Sequence, residues 1–221
     1  MKEKIVGITI NGLIRDHISQ LIKVYEFVTG LEPIYPINPY KLEESFPNII
    51  SEEEKFQEFD VTKEDVELEP QINEKISFDL IKEMYENSAF EVFGRAEEVH
   101  RGLLLRLKAL EKTYNIKFVL LSKESPRSKA ATLFFLSKIN FDFEKVIFPH
   151  FYIDFWNEVD IMITDNPNII KNKPKNKGLI SIVNEHNCHI RNGQKIKSIN
   201  DFRSLKRALR KILKQNNKVN G

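Results

Sequence analysis

The sequence predicts an α/β protein built on a mostly parallel sheet flanked by helices, and three observations predict it. Short apolar runs rich in β-branched residues end at small polar residues: 4–10 before Asn11-Gly12, 116–121 before Ser122, and 159–164 before Asp165. Between them stand stretches with apolar residues at helical spacing, the alternation expected when crossover helices join parallel strands. The 221 residues are 41% hydrophobic with only 8 Gly and 9 Pro, enough to bury a sizeable core and unlike a repetitive or disordered composition.

Taken in order, residues 4–10 read as a buried strand leaving into a tight loop at Asn11-Gly12. Residues 16–29 place Ile18, Leu21, Ile22, Tyr25 and Val28 on one helix face, with Gly30 as the stop. From Glu32 to Gln71, Pro33, Pro36, Pro39, Pro47 and Pro70 alternate with acidic clusters such as Glu52-Glu53-Glu54, which reads as an inserted, partly helical module. Helices are expected over 76–90 and 95–113, the second with Val99, Leu103, Leu107 and Leu110 on one side.

A second core strand follows at 116–121, then a helix opened by Pro126 and running to Lys138. A short strand at 146–148, another at 159–164 and a last one at 178–183 complete the sheet. Ser198-Ile-Asn-Asp201 fits a capping box. It opens a helix with Phe202, Leu205, Leu209 and Ile212 on one face and Arg203, Lys206, Arg207, Arg210, Lys211 and Lys214 over much of the rest. The division expected is an α/β core at 1–30 and 100–200, an acidic, mainly helical insertion at 31–99, and a basic amphipathic helix and tail at 201–221.

The formal net charge of +2 hides a strong polarity. Residues 41–100 hold 18 Asp and Glu against 6 Lys and Arg, a net of −12. Residues 167–221 hold 14 Lys and Arg against 2 acids, a net of +12. Unlike charges at two ends can meet partners, or copies of the chain, head to tail. The single cysteine, Cys188, cannot form an intrachain disulfide. No apolar run of membrane-spanning length stands in the sequence, and the apolar start is broken by Asn11 and closed by Arg15-Asp16 without a cleavage site. These features predict a cytoplasmic site of synthesis, no membrane and no secretion by a signal peptide.

Smaller constellations carry two readings each. His186-Asn187-Cys188-His189 groups soft ligands but has no spaced partner pair, so it reads as loop rather than as a zinc site. Phe148, Phe151, Tyr152, Phe155 and Trp156 fill a core or, at Phe151, Tyr152, Phe155 and Trp156, meet another subunit. Lys171, Lys173, Lys175 and Lys177 around Pro174 form a basic loop, either solvated or facing phosphates.

In open parallel sheets the loops at the carboxyl ends of strands form the ligand crevice. Here those ends carry Thr9-Ile10-Asn11-Gly12, Ser122 and Thr164-Asp165-Asn166-Pro167. Over residues 4–16 and 115–190 this order resembles the haloacid dehalogenase-like (HAD) hydrolases, most of all their small 5'-nucleotidase and deoxyribonucleotidase members. The resemblance implies a HAD-like (Rossmann-like) core, with the insertion standing where the family places its helical cap. It also implies a phosphate pocket at Thr9, Asn11, Gly12, Ser122 and Asp165.

The family's first motif has two aspartates, a nucleophile that also binds magnesium and a general acid and base. Those positions fall on Thr9 and Asn11. A threonine hydroxyl needs an adjacent base to attack phosphorus, and an amide cannot serve as that base. Ser122 matches the second motif, whereas residues 149–158 lack the family's lysine, and Thr164-Asp165 keeps one of two acids for magnesium.

The expectation that follows is a pseudoenzyme with no catalytic residue, no cofactor and no metal, its phosphate pocket vestigial. It would act as a structural component of a homo- or hetero-oligomeric assembly, packing through unlike charges with Phe151, Tyr152, Phe155, Trp156, Arg207 and Lys211 at the interface. Abundant Lys, Asn, Ile and Phe, residues with A+T-rich codons, extend this to a phage virion protein of a tail or ring. The alternatives are a magnesium-dependent 5'-nucleotidase or phosphatase and a non-catalytic module that binds a nucleotide. A nucleic-acid partner is possible on charge but no recognition motif accompanies it.

Overall fold

The computed structural model describes residues 3–33, 37–44, 79–140 and 145–219. Pro36, Pro47, Pro70, Glu52-Glu53-Glu54 and the first residues of the helix expected over 76–90 lie outside the described residues. The strands are β1 (Lys4–Thr9), β2 (Arg15–Asp16), β3 (Glu97–Glu98), β4 (Ile116–Leu121), β5 (Val146–Ile147), β6 (Ile161–Thr164), β7 (Gly178–Ile182) and β8 (Gln194–Ile196). The helices are α1 (His17–Thr29), α2 (Pro39–Glu44), α3 (79–87), α4 (Leu103–Tyr114), α5 (Pro126–Lys138), α6 (Pro167–Lys171) and α7 (Phe202–Val219). A π-helical turn, Phe90–Gly94, follows α3.

Six strands form one sheet in the order β5-β4-β1-β6-β7-β8, and every pairing in it is parallel. A sheet of this kind must be covered on both faces, which is why its strands read as nearly continuous apolar runs. On one face Val6, Ile8 and Phe118 pack with Leu107 of α4 and Leu205 and Leu209 of α7. On the other, Leu121, Met162 and Leu179 pack with Phe155 and Trp156, whose indole N–H donates to the Ile169 carbonyl at 3.2 Å. Gly7 lets this second layer close around the central strand. A Cβ there would lie 2.6 Å from Leu121 Cδ1 and 2.8 Å from Val159 Cγ1.

A third apolar cluster joins Leu21 and Tyr25 of α1, Leu42 of α2, Met84 and Tyr85 of α3, Phe93 and Ala131 of α5. It brings part of the insertion against the core helices and ties α2 above the sheet. The two-stranded ribbon β2-β3 is antiparallel, pairing Arg15 with Glu98 and Asp16 with Glu97.

Several expectations need correction. The run 178–183 is not the last strand, because β8 adds a three-residue edge strand too short to show a period of two. The helix expected from 95 begins at Leu103, after β3 and Gly102 at φ +72°. The capping box does not form. Asp201 itself accepts from the Ser204 N–H at 3.1 Å, while Ser198 Oγ accepts from the Asn200 N–H. Val28 is 60% exposed, so the buried face of α1 is narrower than its apolar stripe.

Phe155 and Trp156, expected at an interface, are 1% and 2% exposed and fill the core instead. Tyr152 is half-buried, and Phe151, Arg207 and Lys211 are exposed. Around Cys188, Asn187 is wholly buried and structural, donating to the carbonyls of Asp165 at 2.6 Å and Ile182 at 2.8 Å. No helix among the described residues is long and apolar enough to cross a membrane.

Candidate functional site

Because the sheet is parallel, the carboxyl ends of adjacent β4, β1 and β6 share one edge, and the chain leaves them at Ser122, Thr9 and Asp165. A cavity of about 260 Å³ opens there. Its walls bring together Thr9, Asn11, Gly12, Ser122 and Asp165, five residues scattered over more than 150 positions of sequence. The structure adds Tyr40 and Glu43 from α2 and Lys123 beside Ser122.

The loop after β1 folds back at once, with the Gly12 N–H donating to the Arg15 carbonyl at 3.0 Å. Gly12 sits at φ +80°, and a Cβ there would come 2.5 Å from Asp165 Oδ2. Only glycine combines that backbone with so close an approach to a carboxyl group. The Thr9 hydroxyl donates to Thr164 Oγ1 at 3.2 Å, and Thr164 Oγ1 also accepts the Asn166 N–H at 3.1 Å.

Asn11 is held at both ends of its amide. Its oxygen accepts from Arg15 Nε at 3.1 Å and Nη2 at 2.5 Å, and its Nδ2 donates to Glu43 Oε1 at 3.1 Å. Arg15 is fully buried and paired with Glu124 at 2.7 Å. Its guanidinium lies 4.6 Å from the centre of the Phe93 ring. Glu124 Oε1 also accepts from Ser122 Oγ at 2.6 Å and Thr132 Oγ1 at 2.8 Å. This network, a buried charge pair with supporting hydroxyls, sets the floor on which Asn11 and Ser122 stand.

Two carboxyl groups face the cavity with their ordinary acidity altered. Asp165 rises from 3.8 to about 7 because burial penalises its charged form, although a hydrogen bond from Tyr40 and the backbone N–H of Asp165 oppose this. Its Oδ1 has no hydrogen-bond partner. Glu43 rises from 4.5 to about 8, again by burial, aided by Glu124 and Asp165 nearby and opposed by Asn11. Glu43 Oε2 accepts from Asn166 Nδ2 at 3.0 Å. Tyr40 is tied in by Asn184 Nδ2 at 2.7 Å, and burial beside Asp165 pushes its hydroxyl up. His17, also lining the cavity, is lowered to about 3 by burial and by Arg15, so it stays neutral.

Tyr40, Glu43, Arg15, Glu124 and Lys123 were invisible as site residues in the sequence. Glu43 stands among many acids of the insertion, and nothing in its spacing distinguishes it. Among the described residues Lys123 is the one lysine lining the cavity, where residues 149–158 have none.

The magnesium that the fold's relatives use can be tested against these donors. Asp165 supplies one carboxylate with a free oxygen, but position 9 is a hydroxyl and position 11 an amide locked between Arg15 and Glu43. Both oxygens of Glu43 are engaged by asparagine amides. Among the described residues no group of three His, Cys, Asp or Glu could hold a metal ion. Asp16, which also lines the cavity, has its Oδ1 taken up by the Ser19 N–H at 3.1 Å; this donor set does not fit a resident magnesium, and no step below runs through one.

No protein-family model and no curated protein matches the sequence. Solved structures do match. The HAD-hydrolase YfnB of Bacillus subtilis, solved bound to magnesium, aligns with a TM-score of 0.54 and 9% identity over 93% of this chain and 99% of that one. A haloacid dehalogenase-like family hydrolase from Streptococcus pneumoniae aligns with a TM-score of 0.53 and 10% identity over 92% and 98%. The fold is HAD-like. At these identities the likeness establishes the fold alone.

The expectation that the chain is not an enzyme is corrected by the same comparison. The proteins that share the HAD-like architecture are hydrolases by name. The same cavity holds two buried carboxyl groups, Asp165, already the acid of the last motif, and Glu43 of α2.

Proposed function

We propose that this chain is a hydrolase of small phosphate monoesters that works by general acid and base catalysis between Asp165 and Glu43. One observation carries the reading: Asp165, which lines the cavity at the strand ends, has a buried Oδ1 with no hydrogen-bond partner, and burial pushes its carboxyl up to about 7. Groups tuned to the working pH by burial in a cleft are the usual mark of proton-transfer chemistry. The resemblance to small nucleotidases makes a nucleoside monophosphate the first substrate class to try.

In this reading the phosphoryl group lies between Lys123, the Thr9 hydroxyl and the loop at Asn11-Gly12. A water molecule attacks phosphorus while its proton passes to the Asp165 carboxylate. The bond to the leaving oxygen breaks, and that oxygen takes the proton held by Glu43. Asp165 then returns its proton through solvent, Glu43 is reprotonated, and alcohol and phosphate leave. Glu43, with a value near 8, holds its proton at pH 7, and Asp165 is about half ionised there. No phosphoryl-enzyme intermediate is required of Thr9.

The test is hydrolysis of nucleoside monophosphates and p-nitrophenyl phosphate by the full chain from pH 5 to 10. A bell-shaped rate with limbs near 7 and 8 is expected, the limbs belonging to the coupled pair. Asp165→Asn is expected to lower kcat about a hundredfold or more, and EDTA to leave the rate unchanged. Turnover that Asp165→Asn leaves intact would refute the assignment.

A further inference from the structure

The same parallel sheet has a second edge, where its strands begin, and a larger cavity of about 620 Å³ opens there. β1 starts at Lys4, β7 at Gly178 and β8 at Gln194, all at its wall, with Asp160 just before β6. The loop after α6 contributes Lys173, Lys175 and Lys177, and α7 contributes Ile212 and Gln215. Lys211, one helical turn before Gln215, lies on the same stripe of α7 and is exposed. The fold thus brings the basic loop beside the basic helix, which begins at Phe202, well beyond Lys177 in the sequence.

The charges at this wall do not balance. Among the described residues Asp160 is the one acid lining it, and it is already engaged by Lys4 Nζ at 3.3 Å and the Ile5 N–H at 3.0 Å. Lys173 Nζ donates to the Pro174 carbonyl at 3.0 Å and Lys177 Nζ to the Val159 carbonyl at 2.7 Å. Carbonyl oxygens orient an ammonium group without neutralising it. Among the described residues, Lys173, Lys175 and Lys177 have no carboxylate partner. Burial alone lowers the pKa of Lys173, the direction expected of a lysine without an anion beside it.

We propose that this amino-edge cavity is a binding site for a small ligand carrying two or more linked phosphates. Three lysines in the wall of a polar recess of this volume suit a compact polyanion, whose charge they would share. Among the described residues the recess has no aromatic side chain in its wall on which a nucleobase could stack. Recognition would therefore be of the phosphates. The site is independent of the carboxyl-edge cavity and of the reaction assigned to it.

Calorimetric titration of the full chain with inorganic tripolyphosphate tests this, at low and at physiological salt. Binding that weakens with salt is expected, along with a loss on the order of tenfold for Lys175→Gln and more for Lys175→Glu. Lys175 is exposed and, among the described residues, holds up no other group, so the variant should fold, which circular dichroism checks. No binding at low salt would overturn the proposal. So would unchanged affinity in Lys175→Glu, which would place the ligand elsewhere, for example at Lys123. A single-stranded oligonucleotide that displaces tripolyphosphate and binds more tightly would replace the proposal with a nucleic-acid surface.

Discussion

Asp165→Asn should gain stability relative to the unaltered protein as the pH rises, while losing its activity. The carboxyl titrates at 3.8 when free and at about 7 when buried in the fold. Between those values the folded chain binds more protons than the unfolded chain, so stability falls as pH increases. The favourable state is the protonated one. Its contribution is complete below the unfolded value and is lost as the pH climbs through the folded value.

Each pH unit in this window is worth about 1.4 kcal/mol. The full loss above pH 7 is therefore about 4 kcal/mol, of which about 3 kcal/mol falls between pH 5 and 8.5. Asparagine has no proton to lose and escapes this slope. Urea denaturation of both proteins at pH 5 and 8.5 should show their difference in stability growing by about 3 kcal/mol, or roughly 6 to 12 °C in Tm for a chain of this size. Any constant cost of an unpartnered asparagine amide cancels in that comparison. A difference that does not change with pH would refute the buried, raised carboxyl on which the proposed chemistry rests.

Two further substitutions probe the support around the site. Arg15→Met leaves Glu124 buried without its cation and should cost about 3 to 5 kcal/mol in urea denaturation, much of it recovered in the double variant Arg15→Met, Glu124→Met. Gly12→Ala, forced to keep φ +80° and displace Asp165 Oδ2, should cost about 1 to 2 kcal/mol of stability from the backbone alone. Its loss of turnover should be larger than that loss of stability implies, and equal losses would separate the loop from the reaction.

Much of the sheet was legible because its strands are buried on both faces. Ile5 to Ile10, Ile116 to Leu121 and Ile161 to Thr164 are apolar runs that end in polar residues where the chain crosses from the core to the crevice. Thr9, Ser122 and Asp165 could therefore be placed on one edge before any coordinates. The partners on α2 could not. Tyr40 and Glu43 reach the cavity because Leu42, between them, packs against Leu21 of α1 and Tyr85 of α3. That contact is long-range and leaves no period in a six-residue helix. Arg15 was equally hidden. A charged side chain one step after an apolar loop reads as surface, and only the matching burial of Glu124 makes its full burial tolerable.

Asn11 joins these two halves and supplies the sharpest test of the relocated carboxyl. Its Nδ2 donates to Glu43 Oε1 at 3.1 Å while its oxygen accepts twice from Arg15. In Asn11→Asp the Arg15 contacts remain, but two carboxyl oxygens face each other at that separation and cannot both carry charge. One proton must be shared between them, as in any close carboxyl pair. The pair would hold it to a higher pH than Glu43 alone, whose own value is about 8. The alkaline limb of the rate profile should then move upward by about one pH unit or more, while the acid limb set by Asp165 stays near 7. An alkaline limb that does not move would show that Glu43 is not the proton donor, and that the acid lost from position 11 has no substitute in α2.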